Sequence, residues 1–230
     1  MCTSPPMHRY YCASTGLSSY DAHPCPAGTY STVGASSCTA CSTGRYQSGS
    51  TKTFCLACGT GQYADTTGAA ACTLCQAGTA SDATEASDAA TCEACLPGQY
   101  APEGSASCRY CSAGQYSSTS GAVVCADCDP GYYCPSTGMT DSGYACAAGT
   151  YSSSGDTACT KCPIGQFADT TANGVDDGAY EYLYAYYGTT GCTKCATGQY
   201  QDSFGQTSCI NCPIGRFALR TNAANCAQVC

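Results

Sequence analysis

Nine Cys-x-x-Cys pairs begin at Cys38, Cys55, Cys72, Cys92, Cys108, Cys125, Cys159, Cys192 and Cys209. Thiols at that spacing either hold a soft metal as thiolates or oxidise to disulfides. A zinc ribbon needs two such pairs facing each other, and every neighbouring pair in the chain offers that. Other chemistry is sparse. His8 and His23 are the only histidines, and neither His-Glu-x-x-His nor Gly-x-Ser-x-Gly occurs, so the reading is of no enzyme and no cofactor. Gly59-Thr-Gly61-Gln-Tyr-Ala64 imitates a dinucleotide fingerprint without the strand, helix and downstream acid that the phosphate contact requires. Asp176 and Asp177 supply far fewer oxygens than a calcium site needs, and a solvated acidic turn is the simpler reading.

Composition decides what must position the thiols. Leu, Ile, Val and Phe together make up 18 of 230 residues and there is no Trp, well below what an ordinary hydrophobic core uses. A chain so poor in large aliphatic side chains stays disordered or is stapled. With 25 cysteines it falls in the range of disulfide scaffolds of oxidising, extracellular compartments. Eight basic residues against sixteen acidic ones give a net charge of −8. No basic cluster is available for a phosphate backbone or an anionic lipid surface, and no apolar run has the length of a membrane span. Nucleic acid and membrane insertion are therefore not expected. Met1 to Tyr10 has no apolar stretch resembling a secretory leader; for a secreted protein the expectation is then a leader already removed, or a segment of something longer.

The chain is one motif many times over. Successive Cys-x-x-Cys starts differ by 17, 17, 20, 16, 17, 34, 33 and 17 residues, a period of about 17 with one double-length unit and one insertion. Locked to it is Cys-x-x-Gly-x-aromatic, begun by Cys25, Cys41, Cys58, Cys75, Cys95, Cys111, Cys128, Cys146, Cys162, Cys195 and Cys212, with Ala80 the single departure from Tyr or Phe. A zinc array does not account for this second rule. A longer duplication lies above it: Cys25, Cys38 and Cys41 recur 121 residues later as Cys146, Cys159 and Cys162.

The stretch Cys25-Pro-Ala-Gly-Thr-Tyr30 followed by Cys38-x-x-Cys41 resembles the ephrin-receptor-like and tumour-necrosis-factor-receptor-like cysteine-rich repeats. Tandem arrays of this kind occur in protist and algal surface proteins and in flagellar-hair (mastigoneme) proteins. The resemblance runs from Cys2 to Cys226 and implies a stack of small disulfide-closed hairpins. It implies no particular ligand, because such repeats serve receptors, stalks and filaments alike. Departures are Ala80, the long spacing from Cys162 to Cys192, and Cys226-x-x-x-Cys230.

Spacing suggests the pairing that joins the second Cys of one Cys-x-x-Cys to the first of the next. That rule gives Cys41–Cys55, Cys58–Cys72, Cys75–Cys92, Cys95–Cys108, Cys111–Cys125, Cys162–Cys192, Cys195–Cys209 and Cys212–Cys226. Two four-cysteine modules, Cys2, Cys12, Cys25, Cys38 and Cys128, Cys134, Cys146, Cys159, each allow three internal pairings; analogy with the simple units favours Cys25–Cys38 and Cys146–Cys159. The expected fold is a small disulfide-rich one: an elongated, solenoid-like rod of β-hairpin repeats with little or no helix. Its expected parts are 1–41, a first four-Cys module and opening repeat; 42–127, simple repeats; 128–162, a second four-Cys module; and 163–230, repeats with a Tyr-rich insertion at 168–191. In each unit the Gly is read as holding a conformation that a side chain would forbid. The aromatic is read as lying across the neighbouring disulfide, against the alternative of an exposed tyrosine ladder.

Two features stand outside the repeat. Cys230 is left over by the pairing, and either begins a further unit or links covalently to another subunit. Tyr180, Tyr182, Tyr184 and Tyr186 alternate as the residues on one face of a strand do; that face either makes a protein contact by strand addition or folds back over its own repeat. No Asn-x-Ser/Thr sequon occurs at Asn173, Asn211, Asn222 or Asn225, while the Ser- and Thr-rich loop tips tolerate O-glycans. The expectation is an extracellular or cell-surface structural protein that self-associates into a filament, flagellar hair or coat. The alternative is a receptor or adhesin ectodomain that binds another extracellular protein.

Overall fold

Two residues of strand are all that each half-repeat can spare between cysteines, and the architecture follows from that. The computed structural model describes residues 10–11, 23–32, 35–169 and 188–228. Among these, the strands form twelve separate two-stranded antiparallel hairpins. In the hairpin that opens the simple repeats, Thr29–Tyr30 pairs with Thr39–Ala40, with Tyr30 opposite Thr39. The second strand is thus the x-x of Cys38-x-x-Cys41. Its two side chains face solvent, whereas Cys41 is fully buried. The same geometry recurs at Gln62–Tyr63 with Thr73–Leu74 and at Gln199–Tyr200 with Ile210–Asn211. A Cys-x-x-Cys here is a hairpin strand bracketed by two different disulfides: its first Cys closes the loop behind, its second opens the loop ahead.

Helix is confined, among the described residues, to one 3-10 turn, Ala89–Thr91. It takes up the extra length of the Cys75–Cys92 loop, with Asp88 Oδ1 accepting from the Ala90 N–H at 2.8 Å. The aromatic of the repeat is half-buried at Tyr30, Tyr46, Tyr63 and their successors. At the Ala80 departure, the hairpin register holds, with Ala80 opposite Glu93. The small side chain is buried with Cys95 and Ala101, against Cys108.

The chain divides into two compact units. The first comprises Met1–Leu96, Tyr100–Arg109 and Ser120–Val124. Within it, each repeat is bound to the next through main chain. The Gly28 N–H donates to the Gln47 carbonyl (2.7 Å), the Ser31 N–H to the Lys52 carbonyl (3.1 Å), and the Thr51 N–H to the Cys25 carbonyl (3.1 Å). One repeat later the set returns as Gly44 to Ala64, Gln47 to Ala69, and Gly68 to Cys41. Gly28 also meets the repeat after that: it has φ +84°, and a Cβ there would overlap the carbonyl of Gly68. Both the left-handed backbone and the close approach therefore demand glycine.

The second unit comprises Pro97–Gln99, Tyr110–Thr119 and Cys125–Cys230 and obeys the same rule. The Gly114 N–H donates to Cys134 (2.8 Å), the Ser117 N–H to Met139 (3.1 Å), and the Gly138 N–H to Cys111 (2.8 Å). The insertion does not disturb the register of its own repeat. Gln166–Phe167 pairs with Thr193–Lys194 across the long loop. On the far side of the insertion, Thr189 accepts from the Ser152 N–H at 3.3 Å through its carbonyl and donates from its hydroxyl to the Thr150 carbonyl.

Candidate functional site

The cysteines come first, because they fill the interior. Every buried hydrophobic residue among the described ones is Cys or Ala. The structure pairs Cys25 with Cys38, Cys41 with Cys55, Cys58 with Cys72 and Cys75 with Cys92. It pairs Cys95 with Cys108, Cys111 with Cys125, Cys128 with Cys134 and Cys146 with Cys159. Cys162 joins Cys192, Cys195 joins Cys209, and Cys212 joins Cys226. The four-cysteine module that begins at Cys128 is thereby resolved into a short six-residue step and a 13-residue loop. All described cysteines are bonded to one another. With Cys2, Cys12 and Cys230 outside the described residues, intact mass after alkylation without reduction is expected to show at most three modified cysteines per chain. Extensive alkylation would mean free thiols and would reopen metal binding.

Other residues singled out by the sequence lie elsewhere. Cys2, Cys12, Cys230, His8, Asp176, Asp177 and the tyrosines 180, 182, 184 and 186 lie outside the described residues. His23 stands in a strand, His23–Pro24, paired with Tyr10–Tyr11.

What the repeats share is a face made of backbone, and two of its positions are missing from the cysteine, glycine and aromatic rules. One is the residue that comes directly after the aromatic. It is buried at Ser31, Gln47, Ala64, Ala101, Ser152 and Gln201, and its N–H reaches the next repeat. Where it is large it is tied to backbone: Gln47 Nε2 donates to the Phe54 carbonyl at 2.6 Å and Gln201 Nε2 to the Ser208 carbonyl at 2.8 Å. The other is a left-handed residue late in each loop, seen at Thr51, Gly68, Glu85, Gly104 and Asn222, whose N–H returns to the leading Cys of the repeat before. Glycine four residues ahead of the closing Cys, as at Gly68, Gly104, Gly121 and Gly205, was the legible trace of it.

The tetrapeptide Cys-Pro-Ile-Gly occurs twice, at 162–165 and 212–215, and displays this face covered and open. In the first copy the Gly165 N–H donates to Gln201 (2.8 Å), the Ala168 N–H donates to Gln206 (3.1 Å), and the Cys162 carbonyl accepts from Gly205 (2.9 Å). A Cβ on Gly165 would meet the Asn222 carbonyl at 2.5 Å. In the second copy, the N–H groups of Gly215 and Ala218 and the carbonyl of Cys212 make no hydrogen bond with any described residue, and nothing lies within 4 Å of a Cβ placed on Gly215. Ile164 is half-buried, whereas Ile214 is fully exposed and Leu219 largely so.

Comparison with known proteins agrees with the repeat. Residues 28–75 and 183–230 match the family described as tyrosine-protein kinase ephrin type A/B receptor-like. No curated protein matches the chain.

Proposed function

We propose that this chain, which carries ephrin-receptor-like cysteine-rich repeats at 28–75 and 183–230, is a structural element of an extracellular assembly: the subunit or stalk of a filament, flagellar hair or surface coat. The repeats and disulfides are those of an extracellular, receptor-like or surface domain. The observation that supports the finer reading is the main-chain ladder from Gly28, Ser31 and Thr51 onward. Each repeat binds the next through N–H and C=O groups, so extension depends little on the side chains carried, and neighbour-to-neighbour contacts of this kind add up along an array. In this reading the tyrosines 180, 182, 184 and 186 supply a lateral contact between copies, by strand addition.

The test is sedimentation velocity and negative-stain microscopy on the secreted, disulfide-intact chain without any partner. Concentration-dependent oligomers or filaments are expected, and the double variant Tyr182→Ser, Tyr184→Ser is expected to lose the lateral component. A chain that stays monomeric at high concentration would instead place it with receptor or adhesin ectodomains. Filaments unchanged in the double variant would remove the tyrosines from the contact.

A further inference from the structure

The disulfides of the repeats have two ends, and the ends are not equally placed. The leading cysteines Cys58, Cys75, Cys95 and Cys146 are buried, while their partners Cys72, Cys92, Cys108 and Cys159 are half-buried. Thiol–disulfide exchange starts with a thiolate on one sulfur of the pair, and access helps decide which one. The module at Cys128 removes this asymmetry. Cys134 directly follows the aromatic Tyr133, and so takes the buried position that Ser31, Gln47 and Ser152 hold in other repeats. Its N–H donates to the Asp156 carbonyl (3.0 Å), and its carbonyl accepts from the Gly114 N–H (2.8 Å). Gly143 stands directly before the strand Tyr144–Ala145, where the simple repeats have their closing Cys. A Cβ on Gly143 would lie 2.9 Å from the Cys134 sulfur. Cys128 and Cys134 are both fully buried.

We propose that Cys72, Cys92, Cys108 and Cys159 are S-thiolation sites for a small thiol of the glutathione class, and that Cys128–Cys134 is closed to the same reagent. The incoming thiolate attacks the closing sulfur, the disulfide breaks, a mixed disulfide forms at the closing Cys, and the leading Cys leaves as a thiolate. Attack by that thiolate on the mixed disulfide expels the small thiol and restores the loop. The released thiolate does not pass the exchange across its own Cys-x-x-Cys. Cys55 and Cys58 flank the strand Leu56–Ala57, and three steps of about 3.3 Å put their Cα atoms about 10 Å apart. A disulfide spans no more than roughly 7 Å between Cα atoms. Main chain keeps that strand extended when the loop opens: the Cys58 N–H donates to the Gly44 carbonyl and the Cys58 carbonyl accepts from the Glu85 N–H, both at 2.9 Å. Opening one loop therefore leaves the adjacent pairing, Cys41–Cys55, in place.

Four single variants of the full chain, treated with oxidised glutathione and mapped by mass spectrometry, test this. Cys58→Ser leaves Cys72 without its partner, and Cys72 is expected to gain one glutathionyl group, its thiolate attacking the reagent and releasing one glutathione. Cys72→Ser leaves Cys58 without its partner; Cys58 is expected to gain none, with Cys41–Cys55 intact. Cys134 in Cys128→Ser and Cys128 in Cys134→Ser are both expected to gain none. In denaturant the four thiols are expected to react alike, with adduct ratios of about 1, because access no longer differs. Protected amides at Gly104 and Gly138, which bond to Cys75 and Cys111, report that the fold stands around the missing disulfide. For a variant that loses that protection, the parent chain is treated briefly with reduced glutathione and quenched in acid; adducts are then expected at Cys72, Cys92, Cys108 and Cys159 and not at their leading partners. Equal adducts on Cys58 and Cys72 in the folded chain overturn the proposal, as does any adduct on Cys128 or Cys134 or a Cys55–Cys58 disulfide. A folded chain in which Cys72 takes no adduct overturns it too.

Discussion

Full reduction and alkylation with a neutral reagent is expected to erase the fold, with no protected amide surviving and the radius of gyration rising towards about 50 Å, the value for an unfolded chain of this length. The reason lies in the interior. Fixing one residue costs roughly 1–2 kcal/mol of conformational entropy, and burial of large aliphatic side chains normally offsets it at roughly 1.5–3 kcal/mol each. Here the buried hydrophobic residues are Cys25, Cys41, Cys58, Ala64, Ala101 and others of those same two types. Phe54, Leu56, Val124 and Ile214 are exposed. Closing a loop such as Cys95–Cys108, with a separation of 13 residues, contributes about 3 kcal/mol on the chain-entropy model. The sum over the ladder takes the place of the missing core. Protected amides at Gly68, Gly104 or Gly121 after complete reduction would show that the main-chain ladder stands without its covalent frame, and would overturn this account.

Three glycine-to-alanine substitutions are expected to separate strain from contact. Gly78 has φ +89°, and a Cβ there would overlap the Gly121 carbonyl. Its own N–H donates to Ala101, and its carbonyl accepts from Cys95. Left-handed backbone costs an L-residue about 1–2 kcal/mol, and displacement of the Gly121 segment adds to that. Gly78→Ala is therefore expected to cost about 3 kcal/mol, read as a loss of protection on the order of 100-fold at the amides of Cys95 and Gly121. Gly198 has φ +81° but an open Cβ position, so Gly198→Ala carries only the backbone term, about tenfold. Gly59 has neither constraint, and Gly59→Ala should stay within about 0.5 kcal/mol of the parent. Equal effects at all three sites would mean that the glycine rule reflects something other than the approach of later repeats.

How much of this was legible beforehand depends on whether the interaction leaves a mark in side-chain type. Disulfides do: cysteine has no substitute, and because the simple loops close over a short separation, as in Cys58–Cys72 at 14 residues, the period reports their pairing. The hairpins come with them, since two residues between two disulfide-bonded cysteines have room only for a short strand. The left-handed position late in each loop leaves a fainter mark. It is glycine at Gly68 and Gly104 but Thr51, Glu85 and Asn222 elsewhere, because at that place the conformation is strained without being sterically closed.

By itself, then, the sequence determined the disulfide-rich class, the repeat and its period, and the requirement for glycine after each leading cysteine, all of which are local constraints written in residue type. The tertiary structure alone decided what each repeat touches. The bonds that join Gly28 to Gln47, Ser31 to Lys52 and Cys25 to Thr51 run between main-chain groups that every residue possesses. Such bonds select no side chain, so no pattern announces them. The tetrapeptides at 162–165 and 212–215 are identical, yet among the described residues only the first has a later repeat bonded to it, because such contacts depend on the neighbour and not on the residues that receive it.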